Sequence, residues 1–125
     1  MMTRETDASQ RLRRCDRIGK RREFLSIYQR GRKIRSRNFV LYAMPSGLPF
    51  HRLGVTVSKK VGKAVVRNKV KRRLREIFRR NRPGGVPPVD LVINAKKSIA
   101  ELEFDQLHDE LIEGLQRLGK ILRGA

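Results

Sequence analysis

Four cations, Arg67, Lys71, Arg75 and Arg79, recur at intervals of four, the spacing that stacks side chains along one flank of an α-helix. Lys69, Arg72, Arg73 and Arg80 crowd the same stretch, and residues 59–82 hold 12 Lys+Arg against one acid, Glu76. Like charges one turn apart each cost an isolated helix about 0.2–0.5 kcal/mol. A solvated amphipathic helix explains apolar residues between the cations but not this density. A row of phosphates explains both, because it neutralises the ridge and releases counterions.

Other chemistries find few residues. His51 and His108 fall in unrelated contexts, Cys15 lies in a basic stretch, and Ser36, Ser58 and Ser98 have no evident base, so no nucleophilic triad can be assembled. Asp105, Asp109, Glu110 and Glu113 recur on one helical segment and read as its solvated face rather than as a two-metal nuclease site. Gly62-Lys63 precedes a helical pattern, yet Ala64 stands where a magnesium-binding hydroxyl belongs and no glycine lies five residues before Gly62. Gly62 reads instead as a close backbone approach at a helix start, where free N–H groups could also receive a phosphate. Phe24 and Tyr28 are one helical turn apart and Tyr42 alternates with Phe39 along a strand, so a platform for stacking unpaired bases is open beside the basic regions.

The rest of the chain must position these groups. It has 125 residues with 31 Lys+Arg and 12 Asp+Glu, a net charge of +19 that suits one domain with a polyanionic partner. Residues 1–82 hold 26 of the basic residues and 5 acids, so the excess belongs to one region. One cysteine excludes an intrachain disulfide and a cysteine zinc cluster. With neither a membrane-length apolar run nor a secretory apolar segment, the expected location is cytoplasmic.

Residues 1–15 read as a mobile basic arm ahead of a single domain over 16–122. Phe24, Ile27 and Tyr28 predict a helix over 20–30, with Gly31 at a left-handed C-terminal position. Alternation predicts strands over 38–45 and 52–58, and the intervening Pro45-Ser46-Gly47-Leu48-Pro49 predicts that they pair as an antiparallel hairpin. Val66, Val70, Leu74, Ile77 and Phe78 predict the basic helix over about 61–81, stopped by the prolines and glycines of 83–88. A strand over 89–96 follows, with Val92 hinting at cover on its second face. Phe104, Leu107, Leu111, Ile112, Leu115 and Leu118 then recur as a last helix. This order predicts a two-layer α+β domain with helices on one face of a small sheet and the other face free.

The run Lys60-Val-Gly62-Lys-Ala64-Val65-Val-Arg67-Asn68-Lys-Val-Lys71-Arg72-Arg-Leu-Arg75 resembles the K-x-G-x-A-V-x-R-N-x-x-K-R-x-x-R signature of the protein subunit of bacterial ribonuclease P. Residues 20–42 are similar to that family's opening helix and strand, and residues 89–115 to its closing strand and helix. The resemblance implies an α-β sandwich of order αβββαβα with a left-handed βαβ crossover, against the general handedness rule. It implies a ribonucleoprotein endoribonuclease. In it, a catalytic RNA removes the 5′ leader of precursor tRNA with magnesium held through the RNA, without a membrane or an obligate protein partner. Lys60, Gly62, Arg67, Asn68, Lys71, Arg72 and Arg75 are then expected at the RNA subunit, and Phe24, Tyr28 and Tyr42 in a leader-binding cleft. Lys69 departs from the Arg-Asn-Arg form often seen in the signature, keeping the charge but losing bidentate phosphate geometry. The residues alone leave two other readings open: a ribosomal-type RNA-binding protein and, less well supported, a DNA-binding regulator.

Overall fold

The computed structural model describes residues 16–82 and 86–124; the expected arm over 1–15, Cys15 included, and the 83–85 part of the helix stop lie outside the described residues. The elements run α1 (Arg21–Arg30), β1 (Arg32–Arg35), β2 (Phe39–Pro45), β3 (Arg52–Thr56), α2 (Ala64–Arg80), β4 (Val89–Ala95) and α3 (Phe104–Gly124), the order αβββαβα. Single 3₁₀ turns, Lys59–Val61 and Lys97–Glu101, precede α2 and α3. Val61 is buried in the first of these turns, so α2 begins at Ala64 rather than near residue 61.

The sheet order is β1-β2-β4-β3. The expected β2–β3 hairpin does not form. β4 lies between the two strands, antiparallel to β2 from Phe39↔Ala95 to Pro45↔Val89 and parallel to β3 from Arg52↔Asp90 to Thr56↔Asn94. The reason is burial: Val89, Leu91, Val92 and Ile93 are all at most 1% exposed, so this strand needs cover on both faces and a neighbour on both edges. The connection over 46–51 spans the gap, with the Ser46 N–H donating to Pro88 O at 3.0 Å and the Val89 N–H donating to His51 Nδ1 at 3.0 Å. β1 has one apolar residue, Ile34, and no alternation, so only its pairing with β2 reveals it as a strand.

One sheet face carries Phe39, Leu41, Leu53, Leu91 and Ile93 under α2 and α3, whose Val70, Leu74, Ile77, Phe78, Leu107, Leu111 and Leu118 are buried against it. Each such side chain contributes about 1.5–3 kcal/mol on burial. Phe104, counted above as part of the apolar stripe, remains 38% exposed at the start of α3.

The other sheet face is not free. α1 lies across it and buries Ile27 with Ile18 and Val92, flanked by half-buried Phe24, Tyr28, Tyr42 and Met44. Gly31 ends α1 in extended backbone (φ −73°, ψ 156°), not in the left-handed region expected. Its lack of a side chain serves a close approach, since a Cβ there would stand 2.5 Å from Ile27 O and 3.1 Å from Ala43 O.

Two polar networks lock the layers. Arg52 donates from Nε and Nη2 to Asp90 at 2.8 and 2.7 Å and from Nη1 to Glu23 at 2.9 Å, fastening the first turn of α1 to β3 and β4. The Asp90 hydrogen bonds, outweighing burial and joined by Glu23, raise the guanidinium pKa further. Glu110 centres the second network and is not part of the expected solvated face. It accepts from the Ser36 hydroxyl at 2.6 Å, the Asn38 N–H at 2.8 Å and the Asn38 side-chain amide at 2.5 Å. Ser98 Oγ in turn donates to Asn38 Oδ1 at 2.6 Å, so the β1–β2 turn, the β4–α3 connection and α3 are joined.

Partial burial on its own would raise the Glu110 pKa, but the Ser36 and Asn38 hydrogen bonds, helped by Lys96, hold it below its ordinary 4.5. A carboxylate depressed in the folded state stabilises at neutral pH and loses that contribution as the pH falls below about 4.5 through the folded-state value. Glu110→Gln should therefore lower the stability measured by urea unfolding by about 1–3 kcal/mol at pH 7. The gap from the parent should narrow near pH 3; an equal loss at both pH values contradicts the assignment. Arg52→Ala leaves buried Asp90 without its partner and should cost about 3–5 kcal/mol in the same assay; a loss within the range of ordinary surface substitutions contradicts the lock.

Candidate nucleic-acid interface

α2 owes its orientation to its apolar stripe, which turns Val70, Leu74 and Ile77 inward and leaves cations on both flanks and the crest. On the flank toward the β3 edge, Asn68, Lys71, Arg72, Arg75 and Arg79 line a groove of about 510 Å³. Its far wall is Arg17, which the sequence reading did not single out. Nothing in the local spacing marks it. Its place comes from the chain leading into α1, where Arg17 bridges to Leu53 in parallel and the Ile18 N–H donates to Leu53 O at 2.9 Å. Desolvation, followed by the charge of Arg17, pulls the Arg75 guanidinium pKa below its ordinary value. Two cations thus converge in a groove whose lining has a single acid, Glu76. Glu76 is engaged by Arg79 and Arg80, whose hydrogen bonds outweigh its partial burial and lower its pKa. Such a groove suits an anion with several oxygens.

The remaining signature residues gather at the start of α2 rather than in the groove. Lys60 is exposed on the 3₁₀ turn. At Gly62 the extended backbone passes so close to α2 that a Cβ would stand 3.2 Å from Val66 Cβ and Cγ1. Arg67 Nε donates to Gly62 O at 3.1 Å, bracing the turn on the helix. Lys63 occupies the N-cap without a side-chain cap, and the first turn holds no acid. Lys69 is exposed beside Asn68.

Phe24, Tyr28 and Tyr42 do come together, on the sheet face beneath α1. The Tyr28 and Tyr42 rings meet edge to face with centroids 4.8 Å apart, and the Tyr28 hydroxyl lies 3.3 Å from Thr56 Oγ1. Phe24 fits over β3 only because residue 54 is glycine: a Cβ there would stand 2.7 Å from Phe24 Cε1. All three residues are half-buried. Lys33, unmarked by sequence reasoning, holds its Nζ 5.6 Å from the Tyr42 ring centroid. It is reached through the pairing Lys33↔Tyr42, which no local pattern discloses. An aromatic shelf edged by a cation has the chemistry to stack unpaired bases and hold their phosphates.

The two surfaces meet along the β3 edge, where neighbouring residues serve both: Arg17 lines the cationic groove and Ile18 is buried beneath α1. Among the described residues no group of three or more His, Cys, Asp or Glu could hold a metal ion, and no helix is long and apolar enough to cross a membrane.

Comparison with known proteins agrees across sequence and structure. Residues 12–119 match the family model described as Ribonuclease P. The ribonuclease P protein component of Geobacillus sp. (strain WCH70) is 38% identical over 108 residues, covering 86% of this chain and 93% of the relative. That of Desulfovibrio desulfuricans is 41% identical over 113 residues, covering 87% of each. The ribonuclease P protein of Staphylococcus aureus superposes with a TM-score of 0.76 at 32% identity, over 86% of this chain and 97% of that one. The Thermotoga maritima protein superposes with a TM-score of 0.73 at 38% identity, over 81% and 96%. The signature on α2, the αβββαβα fold and these matches agree: the chain belongs to the ribonuclease P protein family.

Proposed function

We propose that the chain is the protein part of ribonuclease P, an endoribonuclease in which a catalytic RNA removes the 5′ leader of precursor tRNA. The protein divides its surface between two RNAs. Lys60, Gly62, Arg67, Asn68, Lys71, Arg72 and Arg75, joined by Arg17, lie against phosphates of the RNA subunit. Phe24, Tyr28 and Tyr42, joined by Lys33, hold the single-stranded leader. The observation that carries this reading is the convergence of Arg17 and Arg75 in one groove, with the aromatic shelf on the opposite sheet face.

The mechanism follows from what these groups can do. Cations massed on α2 attract and orient the polyanion, and each phosphate they neutralise releases counterions. The shelf adds about 1–3 kcal/mol for each stacked base. That contribution is made only with a precursor, because the mature product has lost its leader. The protein thereby favours substrate over product while bond breakage stays with the RNA. Magnesium held through the RNA would supply the Lewis-acid chemistry of the hydrolysis. No protein-held metal enters the scheme. In this reading the assembly works in the cytoplasm, and the domain doing the work is residues 16–122.

Tyr42→Ala should weaken binding of precursor tRNA to the assembled enzyme about 5- to 150-fold, the equivalent of one stacked base, and leave mature tRNA binding nearly unchanged. Titration of labelled precursor and mature tRNA reads this, and equal effects on both remove the cleft assignment. Arg67→Ala and Arg75→Ala should instead weaken assembly with the RNA subunit. Each should reduce the log-log salt slope by about 0.7–0.9; filter binding across a salt series that returns the parental slope removes them from the interface.

A further inference from the structure

A second cationic groove lies beyond the first, between the end of α2 and the last turns of α3. It has a volume of about 400 Å³, within the range of roughly 300–1,000 Å³ that holds small ligands. Ile112 and Leu115 form an apolar floor, Gln116 stands on the wall, and Arg82, Lys120 and Arg123 form the rim. No acid is among its lining residues. Arg82 is anchored, 3.8 Å from the buried carboxylate of Asp16. Arg123 folds back along its own helix, its guanidinium nitrogens 3.3 and 3.4 Å from where a Cβ on Gly119 would stand.

Charge along α3 is segregated in the sense the helix dipole favours. Exposed Asp105, Asp109 and Glu113 occupy its first half, and Arg117, Lys120 and Arg123 its last turns. Basic residues near a helix C-terminus gain about 0.3–1 kcal/mol from the helix dipole; Arg82, paired with Asp16, reaches the same groove from the segment after α2, so three cations from two parts of the chain share one rim. The rim also continues the α2 flank, from Arg75 and Arg79 in the first groove to Arg82 in the second.

We infer that this groove is a further RNA-binding site, taking one unpaired nucleotide of the RNA subunit with its base on Ile112 and Leu115 and its flanking phosphates against Arg82, Lys120 and Arg123. The inference rests on the reading of α2 as the RNA-subunit face. The subunit is the occupant rather than the leader because the groove is built by α2 and α3, on the sheet face opposite α1 and its aromatic rings.

The test uses the full chain and a bacterial catalytic RNA. The double variant Lys120→Glu/Arg123→Glu should weaken subunit binding about tenfold or more and lower the log-log salt slope by about 2. The neutral pair Lys120→Gln/Arg123→Gln should act in the same direction without reversed charge at the helix end. Gln116→Trp, which fills the groove and leaves every charge in place, should weaken binding at least about threefold with the slope unchanged. The precursor-to-mature preference of the assembled enzyme should stay as it was. Parental affinity in the charge variants overturns the site. A charge effect without a Gln116→Trp effect overturns the nucleotide in the groove, because only long-range attraction is then left. Loss of the precursor preference with subunit affinity intact gives the groove to the leader and overturns the assignment. Arg75→Ala, measured in parallel, separates the parent reading: if it binds like the parent while the α3 variants do not, the α2 flank fails and the groove stands.

Discussion

Repulsion among the cations of α2 is the constraint around which the domain is arranged. Arg75 sits in a partly desolvated groove opposite Arg17, and both burial and the neighbouring charge disfavour its protonated form. Glu76 offers relief to Arg79 and Arg80. A helix with this flank persists because its other side buries Val70, Leu74, Ile77 and Phe78 in the shared core. Tertiary burial thus holds together a charge pattern that local helix energetics oppose. A bound polyanion reverses the sign of that local cost, since each phosphate neutralises neighbouring cations at once.

β4 converts this arrangement into two coordinated surfaces. Leu91 and Ile93 lie beneath the α2–α3 layer while Val92, on the opposite face, lies beneath α1. At its start, Asp90 takes the bidentate grip of Arg52, which also reaches Glu23 one residue before Phe24. The aromatic shelf and the cationic flank are therefore held by one strand and cannot shift independently without breaking buried contacts. A rigid spacing between them is what the proposed function requires of a protein that would hold one RNA throughout while another passes through.

The Glu110 network performs the equivalent task at the opposite end of the sheet. It satisfies the backbone and side chain of Asn38 in the β1–β2 turn and ties that turn to α3. The β1–β2 pairing holds Lys33 opposite Tyr42. Polar contacts that look remote from RNA thus decide where a cation meets an aromatic ring.

Local periodicity was enough to find α1, α2, β2, β3, β4 and α3, because each repeats its apolar residues at the interval its own backbone geometry demands. The cationic flank of α2 and the pairing of Phe24 with Tyr28 follow from that interval as well. Strand partners do not, since a hairpin signal between β2 and β3 is local whereas the need of β4 for two neighbours and two covered faces is a property of the whole sheet. The same reason hid Arg17, Lys33 and the buried role of Glu110: each acquires its partner from a segment distant in the chain. What the amino-acid order determined alone was which residues share a face; which faces meet was decided only when burial, close backbone approach and charge pairing were satisfied together in three dimensions.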